Sequence, residues 1–90
     1  MHASHILVAT EMEAKRIHEE IISEKITFEE GARTFSTCPS KRQGGDLGAF
    51  EKGTMAKAFE EVCFKLKVGE ISQPVKTEFG WHLIRRNPGR

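Results

Sequence analysis

Two strand-forming segments at opposite ends of the chain, residues 3–9 (Ala-Ser-His-Ile-Leu-Val-Ala) and 80–85 (Gly-Trp-His-Leu-Ile-Arg), constrain the fold more than anything between them. Both are short, mostly apolar and dense in strand formers, so both read as buried strands. The first and last strands of small folds commonly pair. Ninety residues, 38% of them hydrophobic and six of them Phe, suffice for one core but not for two. Residues 1–90 are therefore expected to form a single domain. Each terminal strand embeds one histidine, His5 between Ser4 and Ile6 and His82 between Trp81 and Leu83. A lone strand histidine is ordinarily a satisfied core residue, but two of them in strands that pair point to a shared site.

Helices fill the space between. Thr10-Glu11-Met12-Glu13 matches a capping box, and Ala14, Ile17, Ile21 and Ile22 then recur at helical spacing. A second box, Thr27-Phe28-Glu29-Glu30, opens a helix with Phe28, Ala32 and Phe35 on one face, which Gly31 weakens by about 1 kcal/mol relative to Ala. Residues 38–48 are rich in Pro, Ser, Lys, Arg and Gly and read as a loop with tight turns. Ala49-Phe50-Glu51 reads as a short strand and Lys52-Gly53 as a turn. Met55, Phe59, Val62, Cys63 and Leu66 then form an amphipathic helix that Gly69 stops. Residues 71–75 are extended, with Pro74 arguing for an edge position. The order β-α-α-β-α-β-β predicts an α+β domain with a small, mainly antiparallel sheet covered by helices.

Several function classes fall away. Fourteen basic against thirteen acidic side chains leave a formal charge of +1, a weak pull toward nucleic acid or anionic membrane. No segment approaches the roughly 18 apolar residues of a membrane span. Gly44-Gly45-Asp46-Leu47-Gly48 lacks the spacing of a P-loop or a dinucleotide fingerprint, and no Lys-Ser/Thr follows it. Cys38 and Cys63 fit no metal motif and suit a reducing compartment, so the expectation is a soluble, cytoplasmic protein without metal or cofactor.

Five separated blocks carry a resemblance: His5-Ile6-Leu7-Val8, Cys38-Pro39-Ser40, Gly44-Gly45-Asp46-Leu47-Gly48-Ala49-Phe50, the Met55 and Phe59 pair, and Phe79-Gly80-Trp81-His82-Leu83-Ile84. In order and spacing they resemble the parvulin peptidyl-prolyl cis/trans isomerases, across nearly the whole chain. The resemblance implies a four-stranded antiparallel sheet surrounded by helices, with the first and last strands side by side at its centre. It implies that His5 and His82 are the family's paired histidines, Cys38 its central polar residue and Thr77 the hydroxyl that buttresses one imidazole. Leu47, Met55 and Phe59 are similar to the pocket that holds the substrate proline, with Phe79 and Phe50 at its edge. The implied partners are unfolded or flexible proline-containing polypeptides, met by a monomer of the minimal prokaryotic type. In one respect the sequence departs from relatives directed at phosphorylated Ser/Thr-Pro, which carry a long basic loop after the first strand. Here Ala9-Thr10-Glu11-Met12-Glu13 is short and acidic, and two carboxylates repel a phosphate dianion.

The chemistry so implied breaks no bond. Amide resonance sets a barrier near 20 kcal/mol between two accessible isomers, so a catalyst must favour the twisted amide over both planar forms. Accelerating that by about 10⁵ requires roughly 7 kcal/mol. Cys38 with a histidine also suggests a thiol nucleophile, but a hydrolase of that kind would leave the proline-cup residues without a purpose. A noncatalytic peptide-binding or holdase module using the same groove is the remaining alternative.

Overall fold

A computed structural model describes residues 2–49 and 57–87. Four strands, β1 (His2–Val8), β2 (Asp46–Ala49), β3 (Val75–Thr77) and β4 (Gly80–Arg86), form one antiparallel sheet in the order β2-β1-β4-β3. The terminal strands are thus its centre, as the resemblance implies. Helices α1 (Glu11–Ile22), α2 (Phe28–Phe35) and α3 (Lys57–Lys65) cover it, and a 3₁₀ turn spans Pro39–Gln43. The element order matches the expectation, and β3 lies at an edge beside Pro74.

Strand alternation sorts the core into two layers. Ile6 and Val8 of β1 and Leu83 of β4 pack on Ala14, Ile17 and Ile21 of α1 and on Phe28 and Ala32 of α2. Ala3 and Ile84 face the other way, onto Phe59, Cys63 and Leu66. His5 follows the parity of Ala3, and His82 that of Ile84, so both imidazoles point toward α3. Gly31 is a requirement of packing and not merely a weak point of α2: a Cβ there would stand 3.1 Å from the Ile6 side chain. Helix and strand approach so closely that the Ile6 side chain would have to shift by a few tenths of an ångström to admit a larger residue.

Thr27 and Glu30 form a reciprocal capping box, whereas Thr10 makes only the forward half, accepting the Glu13 N–H. Two members of the expected apolar faces are not covered. Ile22 is 60% exposed because one residue past Ile21 turns about 100° around the helix, and Phe35, at the end of α2, also reaches solvent. The second strand begins earlier than expected. Asp46–Gly48, read as loop, pairs with β1 through Ser4↔Asp46, and Asp46 Oδ1 accepts both His2 Nε2 (2.7 Å) and the Gly48 N–H (2.7 Å). The expected strand end at Phe50-Glu51, the Lys52-Gly53 turn and Met55 lie outside the described residues. Among the described residues no helix is long and apolar enough to cross a membrane.

Candidate active site

The β1–β4 register aligns Leu7 with His82 and His5 with Ile84. His5 and His82 are therefore diagonal neighbours on one face, within reach of each other. Their Nδ1 atoms are 2.9 Å apart and the rings stack at 20° with centroids 5.1 Å apart. Such a contact needs one ring to donate and the other to accept. Two imidazolium ions could not make it.

The surroundings enforce neutrality. His5 is 4% exposed and His82 5%. Burial, reinforced by the His82 charge, pushes the His5 pKa from 6.5 down to about 4, and burial lowers that of His82 as well. β3 supplies the far end of the pair, where Thr77 Oγ1 lies 2.7 Å from His82 Nε2. The same hydroxyl accepts the Phe79 N–H at the hairpin turn, so the β3–β4 hairpin itself fixes the His82 ring. From above, Phe59 meets both imidazoles edge to face, at 5.8 Å from His5 and 5.7 Å from His82. Phe59 is 1% exposed. It is at once a core residue of α3 and the ring that closes over the histidine pair.

Four of the expected residues, His5, His82, Thr77 and Phe59, thus form one connected cluster around His82. Leu47 packs on the α3 side of the core beside Val62 and Val75. Cys38 is half-buried with a free thiol, and among the described residues no hydrogen bond joins that thiol to either imidazole. Phe79 is 68% exposed at the rim. Phe50 and Met55 lie outside the described residues. Among those described, no group of three or more His, Cys, Asp or Glu stands together to hold a metal.

Sequence reasoning missed two positioning serines. Ser36 Oγ accepts the N–H groups of Leu7 and Cys38, while the Thr37 N–H donates to the Leu7 carbonyl, so the segment before Cys38 runs along the edge of β1. Ser72 does the same for β4, accepting the Ile84 N–H and donating its own to the Ile84 carbonyl. Ser36 caps α2 and Ser72 lies in the connection between α3 and β3, both buried, and only a position beside a strand edge distinguishes them. Gly45 is a third constraint. Its carbonyl accepts the His5 N–H, and a Cβ on it would come within 2.4 Å of the His5 carbonyl oxygen.

A 2-1-4-3 antiparallel sheet with a dry imidazole pair on its two central strands, roofed by one helix, is the architecture the parvulin resemblance implies. Comparison with known proteins agrees. The rotamase, PPIC-type PPIase domain model matches residues 5–87. The chain belongs to this family of peptidyl-prolyl cis/trans isomerases, the parvulins. Foldase protein PrsA 1 of Bacillus cereus is 50% identical over 84 residues, covering 92% of this chain and 29% of that protein. Peptidyl-prolyl cis-trans isomerase Pin1 of Arabidopsis thaliana is 48% identical over 86 residues, covering 90% of this chain and 72% of that protein. Among solved structures, NmPin, the parvulin of Nitrosopumilus maritimus, superposes with a TM-score of 0.86 at 44% identity, covering 98% of this chain and 95% of that one. The chain thus spans less than a third of PrsA 1 and most of Pin1.

Proposed function

We propose that this chain accelerates cis/trans isomerisation of unphosphorylated X-Pro bonds in unfolded or flexible polypeptides, without covalent chemistry. The observation that carries the reading is the neutral imidazole pair, sealed from water beneath Phe59 and bonded to itself and to Thr77. A dry floor of this kind suits the twisted amide, because loss of water disfavours the charge-separated resonance form that keeps the bond planar. Leu47 and Phe59, with Met55, grip the proline ring while the preceding carbonyl rotates past Cys38. A thiol with no imidazole to deprotonate it is a poor nucleophile, so Cys38 contributes polarity and no bond.

The acidic Glu11 and Glu13, both exposed at the start of α1, support a preference for unphosphorylated substrates. Two free thiols are consistent with a reducing, cytoplasmic setting, and the near-neutral charge gives no support to nucleic-acid or membrane partners. We take the working unit to be a monomer. A protease-coupled assay with Cys38→Asp tests the reading. The variant should retain measurable isomerase activity, and a phosphoserine before proline should turn over no faster than Ala. A folded but inactive Cys38→Asp, together with a covalent peptide adduct on the parent chain seen by mass spectrometry, would overturn it.

A further inference from the structure

An open cleft of about 760 Å³ is lined by Thr37, Pro39 and Leu47 together with Lys41, Arg42 and Asp46. The cleft thus shares Leu47 with the proline pocket and also holds two cations. Both cations are exposed, and neither has an ion-pair partner among the described residues. One carboxylate, Asp46, lines the cleft and a second, Glu29, stands nearby, and both have partners of their own. Asp46 Oδ1 is held by His2 and the Gly48 N–H, and Glu29, beside Gly44, is bonded to Arg85 at 2.8 Å. The Arg85 guanidinium holds the Glu29 carboxyl below its usual range. Two cations against one carboxylate leave the cleft lining net positive, in a chain whose overall charge is only +1.

The backbone that carries the cations is fixed in place. The Lys41 N–H donates to the Cys38 carbonyl, the Gly44 N–H to the Lys41 carbonyl, and the His5 N–H to the Gly45 carbonyl. The turn that bears Lys41 and Arg42 is therefore tied at both ends to residues of the active site. A void of this volume is about 9 Å across, the length of about three residues of extended peptide.

We propose that Lys41 and Arg42 form a subsite for a substrate carboxylate, an Asp or Glu two or three residues from the proline. This rests on the isomerase reading and refines it: the enzyme selects proline segments with an acidic flank. By the span of the cleft, about three residues of extended chain, the residue recognised lies beyond the one adjoining the proline.

Peptides carrying Glu, Gln or Lys at each position from three before to three after the proline test the proposal, with cis/trans exchange followed by NMR. Glu two or three residues away should give about threefold higher kcat/KM than Gln, the range of an exposed ion pair. That ratio should fall to one in the Lys41→Gln/Arg42→Gln double variant and in about 0.5 M salt. No advantage of Glu at any such position in the parent chain, or an advantage that survives the double substitution, overturns the subsite. So does a phosphoserine that gains where Glu does not. If no proline peptide exchanges faster with the chain present, the isomerase reading fails by itself. The subsite is then judged on backbone amide shifts of residues 41–43, which must respond to the Glu peptide and not to its Gln counterpart.

Discussion

Lowering the pH should unfold this protein through its buried histidines. His5 is held near 4 in the folded chain and titrates at 6.5 when exposed, so the unfolded chain binds a proton that the folded one refuses. Stability from this group is fully present above pH 6.5 and is lost as pH falls toward 4. A difference of 6.5 against about 4, at about 1.36 kcal/mol per pH unit, amounts to about 3 kcal/mol, a large share of the 5–15 kcal/mol typical of a domain. Burial lowers His82 in the same direction, and Glu29, held down by Arg85, adds a further loss at the acid end. Urea unfolding measured from pH 7.5 to 4.5 reads the slope, and NMR titration of the imidazole signals reads His5 directly. In His5→Asn the side-chain amide can keep the bond to His82 Nδ1 while removing the titration, so the slope should flatten. An unchanged slope in that variant, or a His5 titrating near 6.5 in the folded parent, would refute the reasoning.

Thr77→Val removes the hydroxyl between His82 Nε2 and the Phe79 N–H and should cost about 1–3 kcal/mol, with Thr77→Ser restoring most of it; thermal melts beside kcat/KM check this. Phe59→Ala should lose stability as well as activity, by about 3–5 kcal/mol, because the ring is core as well as roof; a variant that melts like the parent would show that Phe59 is not packed as described.

The legible part of this fold is what repeats in sequence. Strand density at both ends, two capping boxes and the α3 stripe predicted the element order, and the parvulin resemblance added the central pairing of β1 with β4 and so the meeting of His5 with His82. The illegible part depends on distances across the sheet. Gly31 reads as a helix weakness until Ile6 is seen 3.1 Å from its missing Cβ. Asp46 reads as a loop residue until His2, 44 positions away, holds it in a strand. Ser36 and Ser72 look like any polar residue outside a helix or strand, because nothing local reveals that each faces an unpaired strand edge. Phe59 shows the reverse difficulty: core and pocket predict the same residue at the same helical position, and only its contact with both imidazoles joins the two roles.

Exchange NMR on an unphosphorylated Ala-Pro peptide, with a substoichiometric amount of the chain, tests the isomerase assignment most directly. Uncatalysed interconversion takes tens of seconds or longer, so free peptide gives no cis/trans cross-peaks at mixing times below about a second. With the chain present those cross-peaks should appear, at neutral pH and without any added metal or cofactor. Peptide signals that shift on binding but never exchange would contradict catalysis and leave a binding module in its place.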